Sequence, residues 1–373
     1  MKHLSEIIDA LGFDLAELSL ITGISSARLS ELTKEDNSPS MRELKLIAGA
    51  LNISIADISL WEHPEDIDLL FRTQEENQYE KIAANKISRK VSLAANILGN
   101  TEKPKWLNAF GILEESYEEA ERLANLFRHH FCKDDINRPL HDLPSLLSKK
   151  AEILLFIVDN VKIDGASGIY KGWPFICLSK RFPQRMLFTL AHELGHIVSH
   201  HNYSSNITFW DGEDSIGHNQ QGKNQKSESF ADAFASYLLL PTHGVAIVLQ
   251  EVRSMLSTKN DNLGDIEIIY LSYFYGVSFE VAAYRCEQLG LLPAGGANSL
   301  YAYLIKHHGS PEKRAKEAGI PERPPIDFNA KNDLLLQKSI QSIEDGESSL
   351  GMVSEMLGEK ISEILKLHSS NFH

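Results

Sequence analysis

Two histidines and a glutamate in the run Phe188-Thr-Leu-Ala-His192-Glu193-Leu-Gly-His196-Ile-Val-Ser-His200 have the types and spacing of a hydrolytic metal site. On a helix, positions four apart stand about 40° from each other around the axis, so both imidazoles reach one divalent ion, with Glu193 beside it as base. A catalytic zinc takes three protein ligands and keeps one position for water. A third ligand must therefore come from elsewhere. Glu228 lies 32 residues beyond His196, in the apolar, alanine-rich stretch Ser227-Glu228-Ser-Phe-Ala231-Asp232-Ala-Phe-Ala235, and Asp232 follows one turn later on the same face. Acids on such a helix read as a zinc ligand, Glu228, and an acceptor for a ligating histidine's N–H, Asp232. The plainer alternative for Glu228 is an acid capping a helix start. His200 also competes, but on one straight helix it stands about 12 Å along the axis from His192, too far to share an ion with bonds of ~2.1 Å. Zn2+ is the expected cofactor and amide hydrolysis the expected chemistry.

These residues need a helix and something for it to pack on. Leu187, Leu190, Ala191, Leu194 and Ile197 recur at helical intervals, and Pro183 stands where a first turn begins. Upstream, Asp142-Leu-Pro144 opens a short helix. Ile153–Asp159, Gly168–Lys171 and Phe175–Ser179 then read as three strands, separated by Asp164-Gly165 and Gly172-Trp-Pro174. A small sheet beside a metal helix offers its edge to a peptide as an added strand. Downstream, Asn202–Lys226 reads as a loop of about twenty-five residues, a lid or specificity element against a plain insertion. The Glu228 helix follows, closed by Pro241, and then Ile266–Phe274 and Ser278–Leu289 with Gly290 as a cap. Arg285, Tyr284 and His243 are oxyanion-donor candidates, each with a structural or solvated alternative.

The N-terminal stretch has a different grammar. Leu4–Leu11, Asp14–Ile21, Ser25–Lys34, Ser40–Leu51 and Ile55–Leu60 read as five short helices, with Asp14, Ser25 or Ser26 and the Asn37-Ser-Pro-Ser40 loop as caps and Gly23 at a turn. Between them and the sheet, Asp66–Asn77, Tyr79–Leu98 and Ser116–Phe131 are polar helical segments of a connector, and Trp106 and Phe110 are expected to pack. The tail beyond Gly296 reads as helices with amphipathic spacing at Ile340, Ile343, Met352, Met356, Ile361, Ile364 and Leu365, fit for a homodimer or partner contact or for plain packing.

Composition bounds the rest. A chain of 373 residues, 43% apolar and 24% charged, is globular and long enough for two or three domains. It has no apolar run near the ~20 residues of a membrane span, so no membrane partner is expected. Acids in the first helical stretch argue against an export signal, and Cys132, Cys177 and Cys286 are scattered thiols suited to a reducing compartment. The expected address is cytoplasmic. A net charge of −14 excludes broad nucleic-acid coating, so any DNA contact must be focal.

Two stretches resemble known families. Leu15-Ala16-Glu-Leu-Ser-Leu-Ile-Thr-Gly23-Ile24-Ser-Ser-Ala-Arg28-Leu29-Ser, followed by Asn37-Ser-Pro-Ser-Met-Arg-Glu-Leu, resembles the lambda-repressor-like (Xre) helix-turn-helix family. That resemblance implies operator DNA as a partner, Ser25, Ser26, Arg28 and Ser30 as readers in the major groove, and Lys34 near a phosphate. Residues 1–60 nevertheless carry five bases against nine acids, a balance that weakens phosphate affinity and keeps open a docking or dimerisation role. The metal-helix run, Glu228-Ser-Phe-Ala-Asp-Ala-Phe-Ala with Leu238-Leu-Leu-Pro241, and Val277-Ser278 with Ala282 and Arg285 resemble the ImmA/IrrE zinc metallopeptidases.

The ImmA/IrrE resemblance implies His192, His196 and Glu228 as ligands, Glu193 as base, and a repressor or antitoxin-like protein as substrate. The expected fold is α+β and mainly helical. A five-helix helix-turn-helix domain (1–62) and a helical connector (63–115) precede a zincin-like metallopeptidase domain with a small sheet and an active-site helix (116–296), and a helical extension (297–373) ends the chain. The alternative is a DNA-binding regulator whose metal domain senses or scaffolds without cutting.

Overall fold

A computed structural model describes residues 4–5, 8, 13–34, 39–51, 55, 78–112, 114–159, 163–200, 207–212, 225–257, 260 and 262–370. Residues 1–99 with 337–373 make one compact unit and residues 100–336 another. The fold is α+β: mainly helical, with one small sheet.

In the first unit, local capping chemistry sets the helix limits. Helix α1 (Leu15–Thr22) starts where the Asp14 carboxylate accepts the Glu17 N–H at 2.6 Å, and it stops at Gly23, whose φ of 70° a side chain would resist. The Ser25 hydroxyl accepts from Arg28 N to start α2 (Ser26–Leu32), so Ser25, not Ser26, is the cap. Ser40 and Glu43 exchange hydrogen bonds in a capping box that opens α3 (Met41–Ala50). Leu4, Leu18, Leu29, Leu32, Ile47 and Leu51 close an apolar core. Of the first and fifth expected helices only Leu4, Ser5, Ile8 and Ile55 are described, all helical; the rest of both, and Asp66–Asn77, lie outside the described residues. Helix α4 (Gln78–Leu98) belongs to the same unit, and its Lys90 ammonium donates to the Glu355 and Met356 carbonyls at the far end of a C-terminal helix, Leu350–Leu357. A cation there bonds carbonyls of the last turn and favours the negative end of the helix dipole.

In the second unit, α5 (Tyr117–Phe131), capped by Ser116, buries Leu123, Ala124 and Phe127 beside Leu107 and Phe110, and Trp106 stacks edge-on to Phe110 and Phe131. The sheet follows. Strands β1 (Leu154–Val158), β2 (Ile163–Tyr170), β3 (Trp173–Ser179) and β4 (Ile207–Gly212) lie in the order β1-β3-β2-β4, with β1 parallel to β3 and β2 antiparallel to both neighbours. Every residue of β2 and β3 is buried, as expected of strands covered on both faces.

The sheet departs from the sequence pattern at two places. Asp164-Gly165 is not a separator; it lies inside β2, and the turn is Lys171-Gly172, both with positive φ. The run Asn202–Lys226 is not all loop: Ile207–Gly212 pairs with β2, while 201–206 and 213–224, where a lid was expected, lie outside the described residues. Helix α6 (Pro183–His200) then carries the metal motif, and α7 (Gln225–Leu239), α8 (Thr242–Met255), α9 (Asp265–Tyr275) and α10 (Phe279–Gln288) complete the core around it. Among the described residues no single helix is long and apolar enough to cross a membrane.

Candidate metal centre

Helix α6 turns its histidines toward the first turns of α7. His192, Glu193 and His196 are fully buried, which for three polar side chains demands partners. The two Nε2 atoms stand 3.1 Å apart; Glu228 Oε2 is 3.4 Å from the first and Glu228 Oε1 3.6 Å from the second. A tetrahedral ion with bonds of ~2.1 Å holds its donors roughly 3.4 Å apart, so the spacing fits zinc. The protonation pattern agrees. His192 Nδ1 donates to Asp232 Oδ1 at 2.8 Å, which leaves a lone pair on Nε2 facing the Glu228 carboxylate. Two acceptors that close need a cation between them. Burial pushes the Glu228 carboxyl up, but the His192 and His196 imidazoles beside it outweigh that and hold it below the usual carboxylate range. His196 Nδ1 has the Ser227 hydroxyl at 3.4 Å. His192, His196 and Glu228 are the one such cluster among the described residues.

Close helix packing brings Glu228 over the histidines. A Cβ on Gly195 would stand 3.1 Å from Ala231 Cα and 3.2 Å from a ring carbon of Phe234, so glycine on α6 and alanine on α7 set the approach. Gly195→Val is expected to cost about 1–3 kcal/mol in overpacking and to weaken zinc binding about tenfold, since it pushes Glu228 and Asp232 off the histidines. Thermal melting and a zinc-competition titration on the same protein check both effects.

The far end of α7 is held by two buried arginines that bond carbonyls rather than acids. Arg128 donates to Leu238 O at 2.7 Å, Ile136 O at 2.7 Å and Arg138 O at 2.9 Å. Arg285 donates to Leu240 O at 3.0 Å and Thr242 Oγ1 at 2.7 Å and lies over the Tyr237 ring. Of the oxyanion candidates, Arg285 thus serves the α7–α8 corner, the Tyr284 hydroxyl donates to Asn298 Oδ1, and His243 is exposed on the first turn of α8. Arg128 carries no local sequence signal of this role, because its Leu238 partner on α7 lies 110 residues away.

The expected DNA readers have a different fate. Ser25 spends its hydroxyl on the α2 cap, Ser26 and Lys34 are exposed, and Ser30 is half-buried. Arg28 is held by Glu43, with Nε at 2.8 Å from Oε1, and by Glu31 at 3.2 Å. The Arg28 guanidinium, helped by Ser40, holds the Glu43 carboxyl down to about 2. Any base contact by Arg28 must displace these carboxylates.

Two stretches of the chain have counterparts among known families. Residues 151–287 match the IrrE N-terminal-like domain of peptidase family M78, and residues 3–63 match the Cro/C1-type helix-turn-helix DNA-binding domain. No curated protein matches the chain.

Proposed function

We propose that this chain, which joins a Cro/C1-type helix-turn-helix domain to an IrrE-like peptidase domain, is a zinc-dependent metalloendopeptidase that cleaves a transcriptional repressor or antitoxin-like protein. The observation that carries this reading is the convergence of His192, His196 and Glu228 with Glu193 buried on the same helix. A zinc ion held there supplies Lewis acidity toward water and the scissile carbonyl. Glu193 takes the proton of the attacking water and delivers it to the leaving amine. Asp232 keeps the proton of His192 on Nδ1, which fixes the ring's orientation and leaves Nε2 to bind. Burial of Glu193 and both histidines excludes bulk water. The edge strand β4, antiparallel to β2, is where a substrate segment would add. Such a chain works in the cytoplasm, beside DNA and its repressors. The deciding experiment is metal analysis with Glu193→Gln, read on a co-expressed repressor or antitoxin.

The helix-turn-helix match favours operator DNA as a second partner. Because Arg28 is engaged by Glu43 and Glu31, binding to the chain's own promoter should be salt-sensitive but modest, and Glu43→Gln should strengthen it about tenfold by releasing one cation. Anisotropy titrations over a salt series measure this. Binding that ignores both salt and sequence would leave the domain as a docking module.

A further inference from the structure

We infer that Gly165 is a positioning residue for Glu193: the backbone of β2, not the helix alone, sets where the base's carboxylate stands. The inference rests on the metallopeptidase reading above. Helix α6 presents two neighbouring stripes at four-residue spacing, and they do different work. His192 and His196 face Glu228 on α7. Arg185, Thr189 and Glu193 face β2. Arg185 Nη2 donates to both oxygens of the Asp164 carboxylate, at 2.9 and 2.7 Å, and that carboxylate is 1% exposed. One residue later, a Cβ on Gly165 would stand 2.2 Å from Glu193 Oε1, 2.9 Å from its Cδ and 2.9 Å from Thr189 Cγ2. Real Cβ atoms essentially never stand so close, so a side chain at 165 would require the Glu193 carboxylate to move.

The carboxylate therefore fills the space that a side chain at 165 would occupy. The β2–β4 register shifts between Ile163 and Gly165, an irregularity of the kind that re-aims groups beside active sites. Asp164 ties the strand to the start of α6, and the bare Cα of Gly165 leaves room for the base against the strand. A glycine in a fully buried strand has this use: it lets another group approach the backbone closely. A methyl there would push the Glu193 carboxylate off β2, while His192 and His196 face Glu228 on α7 instead.

The test uses the full chain loaded with Co2+ in place of zinc, in a Thr189→Ser background that removes the second group abutting Gly165. Gly165→Ala should keep one Co2+ per chain, lower the thermal midpoint by about 5 °C, and move the cobalt visible band toward that of Glu193→Ala. Combined with Glu193→Asp, whose carboxylate is one methylene shorter, the same substitution should cost less than about 2 °C. An undiminished cost beside Glu193→Asp, or an unmoved cobalt band, overturns the inference. If Gly165→Ala does not fold, its pairing with Glu193→Ala decides: a folded double variant supports the inference and an unfolded one overturns it. A background protein that takes up no Co2+ instead overturns the metallopeptidase reading, and with it the role of Glu193 as base, whatever the coupling between the two positions.

Discussion

Glu193→Gln is expected to reduce cleavage of the co-expressed target by about 10³-fold or more while the protein keeps one zinc per chain. The substitution changes one atom of the side chain and preserves its volume. The carboxamide can occupy the space over Gly165 that the carboxylate fills, so neither packing nor the strand–helix contact should suffer. What is lost is the ability to take a proton from water and return it to the amine. Metal retention follows because the three donor atoms belong to other residues, and the Asp232 support of His192 is intact. Immunoblots of the target for tag-length fragments, with metal analysis on the same preparations, read out both halves. Equal cutting by both forms would remove Glu193 from the mechanism. Zinc in both forms with no cutting by either would favour the non-proteolytic regulator.

Metal removal should have the second largest effect. Chelation is expected to lower the thermal midpoint of the 100–336 unit by about 10 °C, and His196→Ala should reduce bound zinc below about 0.1 per chain and abolish any further response to chelator. Two fully buried imidazole nitrogens 3.1 Å apart, both within 3.6 Å of an ionised carboxylate, form a poor arrangement without a cation and a good one with it. A ligand bound at a thousand times its Kd adds about 4 kcal/mol to the folded state, which at this size corresponds to roughly 10 °C. Differential scanning calorimetry with and without chelator measures it. A chelator-insensitive midpoint in a zinc-containing protein would mean that the metal sits elsewhere.

Features set within one or two helical turns are legible from the residues alone. His192, Glu193 and His196 are spaced by the period of the helix they sit on, and Pro183 starts that helix. Asp14, Ser25 and Ser40 cap helices through bonds to backbone three residues away. Glu228 and Asp232 were legible because carboxylates on an alanine-rich apolar helix need a partner, and that anomaly is visible without coordinates. The other features depend on contacts between segments distant along the chain. Asp164-Gly165 has the composition of a turn, yet it lies inside β2 because Arg185 and Glu193, 21 and 28 residues later, bring their groups there. Ile207–Gly212 sits in a polar run that reads as loop, and becomes a strand because β2 supplies its hydrogen-bond partners. Arg28 has the position of a DNA reader, and Glu43, 15 residues along, takes its guanidinium. Glycine, polar runs and arginine are each compatible with several local states of similar free energy. Which state wins is set by groups that reach them only through the folded chain.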